Sequence, residues 1–308
     1  MLIFRGLHSS VAQSVALTIG NFDGVHLGHQ ALLAQLRVAA QSRGLPLAVV
    51  IFEPHPLEFF APHQAPARLT SMREKLELFA ALGVDRVHVC RFDSHFSQMS
   101  ATDFAKALHT EAGAKFVLIG DDFRFGSKRS GDFVLMQQVG SVQGFEVQSM
   151  QSVLHDDVRV SSTAVRAALA EGKMAVAKSY LGRAYSISGR VEHGDGLGKR
   201  LGYPTANIQM KHNRPPLTGV FVVRVQGEEL PTRQGVASLG VRPTVKADGK
   251  PVLEVHLFDF ARQIYNKHLR VDFLHKLRNE KKFPDVGALT RQIALDEDRA
   301  KKWFKEND

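Results

Sequence analysis

Cysteine is nearly absent from this chain of 308 residues. The single Cys90 can form no intramolecular disulfide, and it lies in an apolar run, Val87–Cys90, where it reads as a buried bystander. A reducing cytoplasm suits such a chain. Long hydrophobic runs are missing too. No stretch approaches the ~18 apolar residues that a membrane-spanning helix needs. The opening MLIFRGLHSS also lacks the apolar segment of a signal peptide. The expectation is a soluble cytoplasmic protein with no membrane partner. There is no HExxH helix, no Walker A sequence and no stripe of Lys and Arg interleaved with aromatics. Zinc-protease, P-loop and nucleic-acid readings are thereby left without a signature.

What is present is a soluble composition, 44% hydrophobic, over a length that suits two domains. The net charge of +9 is uneven, with 23 Lys and Arg against 15 Asp and Glu in residues 183–308 and near balance before that. A basic second half fits nucleic acid, polyphosphate or a plain solvated surface, and charge alone does not choose. Nothing in the sequence speaks for or against a homo-oligomer.

The densest chemistry lies in Thr18–Gln30, TIGNFDGVHLGHQ. A buried-strand pattern, Val15–Ile19, stops at Gly20, a glycine-bearing turn follows, and a helical pattern begins at His29. Backbone N–H groups and the positive end of a helix then lie beside the strand's carboxyl end, which suits phosphate. His26 and His29 are spaced to face one pocket, and Gly28 between them allows close approach of a ligand to the backbone. Three readings remain for the pair: a metal couple, which wants a third ligand, two idle surface histidines, or phosphate-binding imidazoles.

Strands and helices alternate after this turn. A helical stripe runs to Ser42, and Leu47–Phe52 is a strand that leaves through EPHP, where Pro54 and Pro56 predict an extended exit. A helix follows from a Thr70 or Ser71 cap, then strand Val84–Cys90, helix Ser100–Thr110 and strand Phe116–Gly120. The fold class is α/β with a parallel sheet, its ligands at the strands' carboxyl ends. His55 and the segment DDFRFG (Asp121–Gly126) stand at such ends. Asp122, Phe123 and Phe125, with Arg129 downstream, either line a planar ligand or form a capped turn with its rings in the core. In VRVSSTAVR (Val158–Arg166), Ser162, Thr163 and Arg166 gather at a helix start, as a plain cap or as an anion clamp.

The pattern changes near residue 183 to short strands and turns, which predicts an antiparallel barrel or sandwich. This places a first domain at 1–182 and a second at 183–308. The second opens with GRVEHGDGLGKRLGYPTANI, whose Gly194, Gly196, Gly198 and Gly202, with Lys199, make a loop able to wrap phosphates. Thr205 and Asn207 share one side of an extended strand and offer hard oxygens suited to Mg²⁺ on ATP. Glu254 stands in an apolar strand, either as half of a salt bridge or as a functional carboxylate.

The turn GNFDGVHLGH resembles the HxGH signature of nucleotidyltransferases, and GLGKRLGYPTAN, GVASLGVRPTV and LEVHLFDF resemble riboflavin kinase. Together with DDFRFG, SSTAVR and FLHKLRNEKKF (Phe273–Phe283), the chain resembles the bacterial bifunctional riboflavin kinase/FAD synthetase family over nearly its whole length. That resemblance implies a Rossmann-like nucleotidyltransferase domain, then a kinase barrel with a terminal helix. It implies riboflavin, FMN, FAD and ATP as ligands and no nucleic acid. His26 and His29 would stabilise ATP phosphates, the residues Gly20, Asn21, Phe22, Asp23 and Gly24 would shape their turn, and Ser162, Thr163 and Arg166 would hold the leaving group. His55, Asp122, Phe123, Phe125 and Arg129 would contact flavin, Thr205 and Asn207 would place Mg²⁺, and Glu254 would be the kinase base. Asn266, where the family is expected to have Gly, and Arg242, where Asn is also familiar, depart from the pattern. A nucleotidyltransferase with another acceptor, such as glycerol phosphate or pantetheine phosphate, is the rival reading, and it leaves the second half without a purpose.

Overall fold

The computed structural model describes residues 1–9, 13–155, 157–194, 196–212, 214–241 and 251–308. Contacts divide the chain into two compact units, Met1–Pro66 with Met72–Val160, and Ala67–Ser71 with Ser161–Asp308.

The first unit contains β1 (Leu2–Arg5), β2 (Val15–Ile19), α1 (Leu27–Ser42), β3 (Leu47–Glu53), α2 (Pro56–Phe60), α3 (Met72–Ala81) and β4 (Arg86–Arg91). It continues through α4 (Ser94–Gln98), α5 (Ala101–Thr110), β5 (Ala114–Gly120), α6 (Phe133–Gln143), β6 (Glu146–Met150) and a small hairpin, β7 (Leu154–His155) and β8 (Val158–Arg159). The six longer strands form one parallel sheet in the order β1-β4-β3-β2-β5-β6. Both faces are covered, so the central strands are apolar without alternation. Along β2, Val15, Leu17 and Ile19 enter one core, and Ala16 enters the other with Leu32, Leu33 and Leu36 of α1. The chain runs from β2 to β3 and β4 on one side, then returns to place β5 on the other. The carboxyl end of β2 is therefore a topological switch point, where such sheets bind ligands.

Two local expectations change. α1 starts at Leu27 with His26 as its cap, two residues before the predicted start. Pro56 does not continue an extended exit; it opens α2 at the first helical position, where its fixed φ and missing N–H cost nothing.

In the second unit, α7 (Ser162–Ala170) and α8 (Met174–Leu181) precede β9 (Tyr185–Glu192), α9 (Leu197–Arg200), β10 (Ala206–Gln209), β11 (Gly219–Gly227), β12 (Leu230–Val241), β13 (Pro251–Leu257), β14 (His268–Arg278) and α10 (Val286–Asn307). The strands close into an antiparallel barrel in the order β10-β13-β12-β11-β14-β9. Val165 and Leu169 of α7 and Met174, Ala177 and Leu181 of α8 share the barrel's hydrophobic cluster. Ala300 and Phe304 of α10 pack on the outside against Val222 and Phe258. Asn266 adopts φ +64°, the left-handed conformation that Asn tolerates in place of Gly. No helix among the described residues is long and apolar enough to cross a membrane. Arg242 lies outside the described residues, as does the side chain of Lys199.

Two candidate active sites

At the carboxyl end of β2 the chain makes a tight turn through three left-handed residues, Phe22 (φ +48°), Gly24 (φ +80°) and Val25 (φ +42°). The Phe22 ring does not face solvent. It is buried, lies 4.7 Å from the His29 ring and meets Phe79 edge-on at 5.3 Å. His26 caps α1, its Nδ1 accepting the His29 N–H at 3.4 Å. That bond satisfies an orphan donor of the helix end and puts the proton of the neutral ring on Nε2. The two imidazoles stack, with centroids 3.7 Å apart and planes at 20°. Gly28 lies close under this stack, since a Cβ there would sit 3.0 Å from His26 Cε1 and press on that ring.

Burial, then His26 and Lys75 in order of size, holds the His29 pKa well below the ordinary imidazole value. Three buried polar atoms at this strand end have no hydrogen-bond partner: Thr18 Oγ1, Asn21 Oδ1 and His29 Nδ1. Buried polar groups are rarely left so; an arriving anion would accept from the Thr18 hydroxyl and from an Nδ1–H of His29, and the Asn21 side-chain oxygen calls for a donor on the same ligand. The sequence reading did not single out Lys75. It is buried on α3, and its Nζ donates to the Asn21 carbonyl at 2.6 Å.

Along the neighbouring strand ends runs a set of touching aromatic rings. Phe123 stacks on Phe125 at 5.5 Å, Phe125 meets Phe104, and Phe104 meets Phe52 and Phe96. Phe92 extends the set to Phe59 and to Phe60, which is 63% exposed. Phe125 is itself buried and pairs its backbone with Gly131, so DDFRFG is part core and part edge. Asp122 is ion-paired with Arg159, and Arg129 is exposed at φ +58°. His55 caps α2, with its Nδ1 on the Leu57 N–H at 3.1 Å and Glu58 returning to its own N–H at 3.1 Å. The α2 aromatics were not legible, because a five-residue helix gives no periodicity to find.

In the second unit, Ser161 caps α7 through the Ala164 N–H, so Ser162 and Thr163 fill the first helical positions. Arg166 is half-buried one turn on, its Nε donating to the Ala67 carbonyl at 2.6 Å.

The barrel carries the second cluster on its outer face. Ala206 and Ile208 point inward, as do Leu253 and Val255, so Asn207 and Glu254 point outward. They are register partners, and Ser238 on β12 is the next partner in the same row. Cβ atoms in such a row lie about 5 Å apart. Ser238 was not predicted, and its Oγ donates to Glu280 at 3.2 Å. His256 Nδ1 meets the Pro204 carbonyl at 2.9 Å and fixes the approach to Thr205. The glycine loop packs directly on this row. A Cβ on Gly194 would lie 2.2 Å from Asn207 Nδ2, and one on Gly198 would lie 3.2 Å from Thr205 Oγ1. Gly196 (φ +67°) faces open space.

A histidine turn at the switch point of a parallel sheet defines a nucleotidyltransferase-type domain, and the barrel joined to it adds a separate phosphotransfer-type cluster. The FAD synthetase family model matches residues 8–164, and the riboflavin kinase model matches residues 181–304. The bifunctional riboflavin kinase/FMN adenylyltransferase of Escherichia coli K12 is 46% identical over 99% of this chain and 98% of its own length. That of Pseudomonas fluorescens is 48% identical over 96% of each. The chain belongs to the bifunctional riboflavin kinase/FMN adenylyltransferase family. A solved structure titled as a macrolide-efflux protein from Streptococcus pneumoniae shares the fold, with a TM-score of 0.83 and 27% identity over 98% of this chain and 100% of that one.

Proposed function

We propose that the chain makes FAD from riboflavin in two steps: residues 183–308 phosphorylate riboflavin with ATP, and residues 1–182 join the resulting FMN to the adenylyl group of a second ATP. The observation that carries the first-half reading is the stacked imidazole pair, His26 buried and His29 half-buried, with Thr18 Oγ1, Asn21 Oδ1 and the Nδ1 of His29 itself left unsatisfied at the same strand end.

In adenylyl transfer, a phosphate oxygen of FMN attacks the α-phosphorus of ATP, the bond to the bridging oxygen breaks, and pyrophosphate leaves. The FMN phosphate is already ionised, so no protein nucleophile is required. His26 and His29 donate to the phosphate oxygens as charge builds in the transition state. Desolvation disfavours the charged form of unliganded His29, so that ring holds no charge before the anion arrives. Gly20, Asn21, Asp23 and Gly24 shape the backbone of the turn, and Phe22 supports it from beneath. Ser162, Thr163 and Arg166 form a helix-start phosphate holder. The rings beside Phe123 and Phe125 suit the flat isoalloxazine, with His55, Asp122 and Arg129 at its polar edge.

In the kinase step, Glu254 orients the terminal ribityl hydroxyl and takes its proton as the oxygen attacks the γ-phosphorus and ADP leaves. Positioning matters more than basicity in a loose phosphoryl-transfer transition state. Thr205 and Asn207 supply hard neutral oxygens beside a carboxylate, a donor set that fits Mg²⁺ carried by ATP. Mg²⁺ bound there would neutralise phosphate charge. Gly196, Gly198 and Lys199 belong to the loop that covers the phosphates. A lone buried thiol suits a reducing cytoplasm.

The test is to incubate the protein with riboflavin, ATP and Mg²⁺ and to separate the flavins, with FMN and FAD as the expected products. Glu254→Ala should abolish FMN formation while supplied FMN still becomes FAD. His29→Ala should stop the sequence at FMN. Equal loss of both steps in either variant overturns the division of labour.

A further inference from the structure

We propose that Lys75 is a positioning residue for adenylyl transfer, its ammonium fixing the Asn21 carbonyl and with it the turn that presents His26 and His29. The assignment rests on the adenylyl-transfer reading of the first half.

Lys75 and Phe79 lie one helical turn apart on the buried face of α3, and both reach the histidine turn. Phe79 meets Phe22, Phe22 lies against His29, and His29 stacks on His26, a continuous line of rings. Lys75 supplies the polar contact, 2.6 Å from Nζ to the Asn21 carbonyl. The turn needs such support. Phe22 and Val25 hold positive φ, a conformation costly for a large or β-branched residue. Outside anchors help to keep it in place, and another is Gln30 Nε2 on the Val25 carbonyl at 2.9 Å.

An ammonium 5% exposed is an expensive anchor. Packing alone would be served as well or better by an apolar side chain of the same length. The charge therefore has a use. It stands beside the histidine turn where polyphosphate arrives, and it adds to burial and to His26 in disfavouring protonation of His29 beforehand. His26 and Lys75 are the charged and titratable groups that act on His29, and among the described residues the buried carboxylates Asp23, in the turn, and Glu74, next to Lys75 on α3, belong to the same two segments.

The full-length chain is assayed for FAD from FMN and ATP, with FMN from riboflavin as the control reaction. Lys75→Met should lower kcat for FAD formation about a hundredfold and move the acidic limb of its pH profile to higher pH. Loss of the ammonium lets His29 take a proton more readily, and the neutral ring is the working form. Lys75→Arg should restore most of kcat. FMN formation should be unchanged in all variants. Lys75→Gln keeps a donor for the Asn21 carbonyl but not the charge, so it should fold even where Lys75→Met does not, and its acidic limb should move the same way. An unmoved limb in Lys75→Gln, or a Lys75→Met kcat within about twofold of wild type, overturns the proposal alone. Wild-type protein that makes no FAD from FMN removes the underlying reading instead.

Discussion

A desolvated histidine is a pH sensor by default, and among the described residues His29 and His88 have depressed pKa values. His29 is held low first by burial, and His88 likewise, with Arg86 adding to the effect and hydrogen bonds to the Gly6 and Leu7 backbone opposing it. Above about pH 6.5, the ordinary imidazole value, folded and unfolded rings are both neutral and nothing is lost. Below it, the unfolded chain takes up protons that the folded one refuses, and stability falls until the folded values are reached. Urea midpoints taken from about pH 7.5 down to 5.5 should therefore drop, and His29→Asn should flatten part of that slope, leaving the share due to His88. Gly28 offers a cleaner separation of fold from chemistry. Gly28→Ala adds a good helix former, so stability should shift by less than about 1 kcal/mol. The new methyl pushes into the His26 ring, so FAD formation should fall at least about tenfold. A melting curve beside a rate assay checks both.

Among the elements, what could be read depended on burial. β2, β3 and β5 are buried on both faces and stood out as apolar runs. β1 and β6 are the sheet's edges, and their exposed, partly polar sequences LIFR and EVQSM carried no alternation to detect. The histidine pair was legible because GNFDGVHLGH is unusual as a string. Lys75 was not, since a lysine in an amphipathic helix reads as solvent-facing until its carbonyl partner, 54 residues away, is seen. The partnership of Ser238 with Glu254 was hidden for the same reason, being a matter of register between strands. Polar contacts of this long-range kind also tie α10 to the barrel. Arg278 on β14 donates through Nε to both Asp296 oxygens at 3.1 and 2.9 Å, and Asp296 is 2% exposed. Gln292 Nε2 adds a further hydrogen bond at 2.8 Å. Arg278→Ala leaves a buried carboxylate short of its cation and should cost about 3 kcal/mol, read as a lower denaturation midpoint with α10 released first in hydrogen exchange.

At the scale of the whole molecule, the compact units do not follow the change in sequence character near residue 183. α7 and α8 read as a helical connection, yet Val165, Leu169, Met174 and Leu181 are built into the barrel's core. A fragment spanning 161–308 should accordingly be more stable than one spanning 183–308. The expected difference is several kcal/mol, at about 2 for each apolar side chain whose partner is lost, measured by chemical denaturation of the two fragments.

Cys90 lies in β4, 1% exposed, and burial pushes its thiol up to about 12. It is therefore silent toward maleimides and other thiolate-seeking reagents at neutral pH. The natural chain is already a blank background for site-directed labelling. A fluorophore on Arg200→Cys, an exposed position at the end of α9 beside the glycine loop, would report the arrival of nucleotide without first stripping the protein of its own thiol.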